Sequence, residues 1–409
     1  MTAAHPTSPI RWARCCIPSF PRRPIRGLSI FTDVTHPSFD LFCRVVDNFG
    51  DIGVCWRLAR QLARRPDTGP VRIWVDDMAA FSCIEPGAAS AIPSASATMR
   101  IADVDIVPWR PDTALPAPHD VVIEAFACDP PAAFVASMAS RDSFWINLEY
   151  LSAEPWVRDF HALPSLRPDG LRKAFFFPGF EAGTGGLLRE PGLLSQRDQW
   201  LADPDARWFT LSQAGVPAPA LAMLREGARQ IMLFCYPHAP VNGLVHALQA
   251  QPQPSVMLVP AGVCPALRRG QHGSLLITEI SFVSQDMFDR LLWSSDLNCV
   301  RGEDSLVRAL WAARPMLWHV YPQAQDAHMA KLRAWLALAP YDPTVGQVMR
   351  CWNTEDDDAL CAALSACLGA VQYQAWAKAS EAWCKALSAQ RDLASALLDF
   401  WRQARKLNR

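Results

Sequence analysis

Two turns in this chain place carboxylates where an apolar strand gives way to a helix. The first, Asp47-Asn48-Phe49-Gly50-Asp51-Ile52-Gly53, follows the apolar run 39–46 and opens a helix whose Ile52, Cys55, Leu58, Ala59 and Leu62 share one face. Glycines let backbone approach a ligand closely, and free N–H groups at a helix start favour an anion. The dinucleotide fingerprint G-x-G-x-x-G is absent, however, and two carboxylates would repel a phosphate beside them. That balance favours a proton acceptor in at least one of Asp47 and Asp51. A second reading stands next to it, in which Asp51 caps the helix and Asp47 stabilises the turn.

The other turn, Arg301-Gly302-Glu303-Asp304-Ser305, precedes a helix with Leu306, Ala309, Leu310 and Ala313 in apolar register. Asp304 or Ser305 can serve as the N-cap, or the N–H groups of that first turn can hold a diphosphate; the two uses share one geometry. Aromatics lie at neighbouring strand ends. Phe282 suits stacking on a nucleobase while Gln285 reads its edge, and Phe234 and Tyr236 end another strand, with the Tyr236 hydroxyl free to donate to a phosphate. Core packing is the competing role for such aromatics. His319 reads as a structural histidine, no Ser-His-Asp or Cys-His order is present, and no P-loop occurs.

The elements that must position these residues alternate. Strand candidates at 39–46, 71–76, 99–107, 120–126 and 143–150 are separated by loops and helical stretches, which predicts a parallel sheet covered on both faces. A Gly-rich segment at 179–192 marks a boundary, after which the pattern restarts at 230–236, 254–262, 274–280, 296–302 and 316–322, with helices near 240–250, 285–294 and 303–313. The stretch 356–406 is mostly helical and carries Trp376, Trp383 and Trp401. The expected organisation is a basic, mobile tail at 1–38, an N-terminal Rossmann-like lobe at 39–195 and a C-terminal one at 196–380. A final helix at 381–409 returns to the first lobe. In such sheets ligands bind outside the carboxyl ends of the strands, here in a cleft between lobes. Asp51 and Glu303 then meet only if the lobes close.

Composition bounds the function. The chain has 409 residues, 50% hydrophobic, 19% charged and 10% aromatic, enough for two cores and unlike a disordered chain. A formal charge of -1 gives no global case for nucleic acid or an anionic membrane. It averages unlike parts: residues 1–38 hold five arginines and Asp33, a formal +4, which leaves -5 for the rest. Thirteen scattered cysteines show no zinc spacing and read as reduced thiols of a cytoplasmic protein, with no metal site. No apolar run approaches the ~20 residues of a membrane span, and no secretory signal precedes the first strand.

The strings DLFCRVVDNFGDIGVCWRLARQLA, VVIEAFACDPP, WINLEYLSAE, FFFPGF and VRGEDSLVRALWAARPMLWHVYPQ resemble the EarP family of protein-arginine rhamnosyltransferases that modify elongation factor P. The resemblance spans 39–409. It implies a GT-B fold, dTDP-β-L-rhamnose as donor, inversion at the anomeric carbon, an arginine of elongation factor P as acceptor and no metal cofactor. By motif, Asp51 is similar to the general base, Asp47 to its supporting acid and Glu303 to a second essential carboxylate. Asn48, Phe49 and Gly50 fall in the same turn, Arg301, Gly302, Asp304 and Ser305 at the diphosphate, and Phe282 and Gln285 at thymine. Phe234 and Tyr236 complete the substrate contacts, Tyr236 on a phosphate oxygen. Where the family usually reads F-V-P-Q, this chain has Ser284, a loss of Pro expected to loosen the loop. The alternatives are another GT-B nucleotide-sugar transferase or epimerase, or a non-catalytic nucleotide-sugar-binding protein.

Overall fold

The structure, a computed structural model, describes residues 36–47, 49–91, 98–111, 113–323 and 326–406; Asn48 and all but the last three residues of the expected 1–38 tail lie outside them. Strands β1 (Phe39–Cys43), β2 (Val71–Val75), β3 (Met99–Ile101), β4 (Val104–Pro108), β5 (Val121–Ala125), β6 (Phe144–Leu148), β7 (Pro164–Ser165) and β8 (Lys173–Phe176) form one sheet, ordered β3-β4-β2-β1-β5-β6-β8-β7. A second sheet, ordered β11-β12-β10-β9-β13-β14, contains β9 (Arg229–Leu233), β10 (Ser255–Pro260), β11 (Gly270–His272), β12 (Leu275–Ile280), β13 (Leu297–Arg301) and β14 (Met316–His319). Only the edge pairs β3/β4, β7/β8 and β11/β12 are antiparallel.

Helices cover both sheets: α1 (Gly50–Ala63), α2 (Met78–Ile84), α3 (Ala132–Arg141) and α4 (Trp156–Phe160) in the first lobe, then α5 (Leu193–Ala202), α6 (Ala206–Gln213) and α7 (Ala218–Arg225). The second lobe adds α8 (Val241–Gln249), α9 (Gln285–Ser294), α10 (Gly302–Ala312), α11 (Ala327–Leu338), α12 (Pro343–Trp352) and α13 (Asp357–Cys367), and the chain ends in α14 (Ala370–Ser388) and α15 (Leu393–Lys406). Every residue of β1, β2, β5 and β6 is buried, as a parallel sheet layered between helices requires. The order in which strands are added reverses between β1 and β5 and again between β9 and β13, so each lobe has its switch-point crevice at the strand ends that carry the two carboxylate turns.

Several elements depart from the sequence expectation. The run 39–46 stops as a strand at Cys43, because the following residues fold back over the start of α1. The run 99–107 is a hairpin, not one strand: Ala102 and Asp103 turn through left-handed backbone (φ 49° and 63°) between β3 and β4. Strands β7, β8 and β11 lie in segments where the apolar pattern is short. Among the described residues the cysteines are free thiols, no three His, Cys, Asp or Glu groups are placed to hold a metal ion, and no helix is long and apolar enough to cross a membrane.

The lobes are in contact, and Asp51 and Glu303 line one cavity in this closed arrangement. The junction is a chain of buried charges. Arg57 of α1 donates through Nε and Nη2 to Glu190 (2.7 and 2.8 Å) and through Nη1 to Asp304 Oδ1 of α10 (2.8 Å). Arg308 donates to the other oxygen of Asp304 at 2.8 Å and to Asp289 of α9 at 2.7 Å. Burial alone would raise Glu190, but the charge of Arg57, aided by Arg308, holds it at about 2. Asp289 is raised by burial to about 6 against the pull of Arg308 and Arg57.

Helix α15 closes the molecule by returning to the first lobe. Phe400 packs on Phe144 and Phe176, Asp392 accepts from Gln61 at 2.7 Å and Arg402 donates to Asp67 at 3.0 Å. Replacing Arg57 strands Glu190 and half of Asp304 in low dielectric, so Arg57→Met is expected to destabilise by about 3–5 kcal/mol, measured by urea unfolding. Glu190 has a depressed folded pKa, so its contribution is present above pH 4.5 and is lost as pH falls toward 2. The gap between wild type and Arg57→Met should therefore be largest near neutrality and narrow through that acid window.

Candidate active site

The first carboxylate turn is built by the chain folding back on itself. Asp51 Oδ2 accepts from the backbone N–H groups of Val46 and Asp47, both at 2.9 Å, which bends the strand exit around a buried carboxylate. Neither acid caps α1; Phe49 occupies the cap position without a side-chain bond, so the capping reading of Asp51 does not hold. Gly50 is needed here, since a Cβ on it would lie 2.6 Å from Asp47 Oδ2. Burial raises Asp51; the two backbone bonds pull it down, and the charges of Asp47 and Glu303 push it up again. Asp47 is likewise raised by burial, opposed by a bond from Tyr236 and by the charge of Arg301. Both groups are thus carboxylates with heightened proton affinity facing a cleft, the property a base needs.

The second turn meets them from the other lobe. Helix α10 begins at Gly302 with φ +64°, and its cap position is Arg301 with no side-chain bond; neither Asp304 nor Ser305 is the cap. Trp318 Nε1 pins the turn by donating to the Gly302 carbonyl at 2.7 Å. A Cβ on Gly302 would sit 3.0 Å from the Tyr236 hydroxyl and 3.1 Å from Asp47 Oδ2, so glycine is what lets the turns approach. Glu303 points back to the first lobe, where Oε2 accepts from the Leu151 N–H at 2.8 Å while Oε1 takes the Lys331 ammonium.

Two cavities meet at this point and share Asp47 and Gly50. The first, about 600 Å³, is lined by Phe49, Phe234, Phe282, Gln285, Arg301 and Ser305. Phe282 packs at 5.0 Å on Phe49 and at 6.5 Å on Phe234, and the Arg301 guanidinium lies 4.5 Å from the Phe234 ring and 4.9 Å from that of Tyr236. Gln285 Nε2 reaches Gly53 O at 3.3 Å and Asp304 Oδ2 at 3.4 Å, and Gln285 Oε1 is buried with no partner. Asp304 lines this cavity, but both its oxygens are held by Arg57 and Arg308, which keep it below its ordinary value and offset its repulsion of an anion. The second cavity, about 660 Å³, gathers Asp47, Asp51 and Glu303 with Tyr150, Tyr321 and Lys331.

Tyr236, expected at a phosphate, donates here to Asp47 Oδ2 at 2.6 Å, and its backbone N–H donates to His319 Nδ1 at 3.2 Å. Burial lowers His319 to about 4, so it acts as a neutral acceptor. Ser284 sits at the cap of α9 with φ -61°, a value proline also adopts, and its Oγ accepts from Met287 N–H at 3.4 Å, so the loop expected to loosen is held by a cap. Sequence reasoning missed Arg57, Glu190, Arg308, Lys331 and the Phe126–Tyr150 stack (4.4 Å, 14°). Only Arg308 carried a local sign, its position four residues after Asp304 on one helix face.

Compared with known proteins, residues 39–402 match the family model described as Elongation-Factor P (EF-P) rhamnosyltransferase EarP. The chain belongs to the EarP family. It is similar to a protein-arginine rhamnosyltransferase of Pseudomonas putida, 44% identical over 399 residues, with 90% of this chain and 99% of the relative covered. One from Pseudomonas aeruginosa is 41% identical, with coverages of 89% and 98%. A solved structure for EarP-mediated arginine glycosylation of translation elongation factor EF-P aligns with 90% of this chain and 99% of its own, at 32% identity and TM-score 0.58. A glycosyltransferase from Rickettsia africae, 9% identical with TM-score 0.51 and coverages of 91% and 99%, shares the fold alone. The two facing lobes are therefore a GT-B fold, and this EarP-family chain is a glycosyltransferase.

The Tyr236 hydroxyl is the strongest influence lowering Asp47. Tyr236→Phe removes it, so the acid limb of kcat/KM is expected to move to higher pH. An unmoved limb would show that the reaction does not need Asp47 ionised.

Proposed function

We propose that this EarP-family enzyme transfers L-rhamnose from dTDP-β-L-rhamnose to an arginine side chain of translation elongation factor P, with inversion at the anomeric carbon. The observation that carries the reading is the meeting of three carboxylates, Asp47, Asp51 and Glu303, at the joint of two cavities of unlike chemistry. The aromatic cavity suits a nucleoside diphosphate: Phe282 offers a ring to the base, and the unpartnered Gln285 Oε1 suits a base N–H such as the imide of thymine. Arg301 and the first-turn N–H groups of α10, near Ser305, face where a diphosphate would lie. The acidic cavity suits a guanidinium.

Guanidinium has a pKa above ~12 and is a poor nucleophile while protonated. In the proposed step an Nη of the acceptor attacks C1 of rhamnose, the C1–O bond to the diphosphate breaks, and Asp51 takes the proton released from nitrogen. Attack opposite the leaving group turns the β linkage into α. The electron pair leaves on dTDP, where Arg301 and the helix start meet the new charge. Asp47 and Glu303 supply charge that holds the guanidinium in line. The same groups make a metal cofactor unnecessary for leaving-group stabilisation.

The intact mass of elongation factor P, incubated with enzyme and donor, tests this reading: one added deoxyhexose on arginine is expected, and no addition overturns it. Asp51→Asn should lower kcat by at least ~10²-fold while leaving dTDP binding by calorimetry unchanged; near-normal turnover would remove Asp51 from the role of base. Transfer should persist in excess EDTA, and a loss restored by Mg²⁺ would overturn the metal-free scheme.

A further inference from the structure

Lysine is scarce in this chain, five residues against 34 arginines, yet Lys331 is the cation that lines the acidic cavity. Its ammonium takes Glu303 Oε1, and the same nitrogen lies 5.8 Å from the ring centroid of Tyr150. Both partners of the pair are largely buried, at 15% and 16% side-chain exposure, so the attraction is little screened. The other oxygen of Glu303 is fixed by the Leu151 N–H. The orientation of Glu303 thus depends on one backbone bond from the first lobe and one ammonium from α11.

We infer that Lys331 is a positioning residue for the transfer reaction: a resident cation that aims Glu303 into the acceptor cavity until the acceptor guanidinium arrives to share the same carboxylate. This rests on the reading of that cavity as the acceptor side. The need for such a cation follows from the neighbours. Facing Glu303 are Asp47 from the turn before α1 and Asp51 from α1 itself. Tyr150 follows β6, Tyr236 follows β9, Tyr321 follows β14 and Lys331 comes from α11. The charge of Glu303 already raises Asp51 and Tyr150. Without Lys331, three carboxylates share one half-closed space, and the one on α10, held then by the Leu151 N–H alone, would swing away from its like-charged neighbours.

Lysine rather than arginine fits a cation that must yield. An ammonium is a point charge that holds one oxygen on a flexible stem, whereas a guanidinium would clamp a carboxylate in a two-pronged pair and compete directly with the acceptor. Lys331 also lies outside the aromatic cavity, so its effect should separate from donor binding.

The test compares wild type, Lys331→Met and Lys331→Arg, each full length and checked for an unchanged unfolding temperature. Lys331→Met is expected to lose about 10²-fold in kcat through misplacement of Glu303, with dTDP affinity unchanged. Lys331→Arg should restore most of kcat while raising KM for elongation factor P. A readout free of turnover accompanies it: the crystal structure of Lys331→Met should show the Glu303 carboxylate turned away from the place it holds in wild type. An unmoved Glu303 carboxylate, or wild-type kcat, in Lys331→Met overturns the inference. If wild type fails to modify elongation factor P but Glu303 still turns in Lys331→Met, the acceptor assignment fails and the positioning of Glu303 stands.

Discussion

The active site of this enzyme depends on five charges that tie its two lobes together, four of them buried and the fifth, Glu190, partly so. Arg57 and Arg308 lie between Glu190, Asp304 and Asp289, and through them α1 of one lobe is tied to α9 and α10 of the other. Buried ion pairs of this kind contribute little net stability compared with an apolar replacement, but they are costly to break and demanding in geometry. What they supply is register. They fix where the start of α10 stands against the start of α1, and the carboxylates on those two helix starts have meaning only in that register.

Site chemistry follows from placement. The strands end at a common level, so Asp47 after β1, Phe126 after β5, Tyr150 after β6, Tyr236 after β9 and Gly302 after β13 converge without any of them being neighbours in sequence. Convergence then changes their character. Burial raises Asp47 and Asp51, the second further by the charges of Asp47 and Glu303, while Asp304, also buried, is held low because two guanidinium groups face it. One cleft thereby contains acids with opposite behaviour: some poised to take protons, one fixed as a counter-charge.

The alternation of apolar runs and helices, the switch between two lobes and both turns were legible because they are local patterns. The roles assigned within the turns were less so. Capping by Asp51 or Asp304 is a local expectation, and another partner decided otherwise: for the first the backbone of Val46 and Asp47, just upstream in the same turn, and for the second the distant Arg57. Arg57 lies in a helix buried on every side, Glu190 in a linker and Lys331 in a helix without a motif, so nothing near them in sequence marks their function. Asp103 and Ala102, a turn inside an apparent strand, were hidden by flanking residues of good strand propensity.

Ser284 shows how one loop geometry can be reached by two thermodynamic routes. A proline at that position would restrain the chain before it folds, an entropic device that acts at all temperatures. The serine leaves the unfolded chain free and holds the same backbone angle through a hydroxyl bond formed only in the native state. The start of α9, with Phe282 and Gln285 beside it, is therefore secured enthalpically in this chain. Its order should soften with warming sooner than that of a chain with proline there.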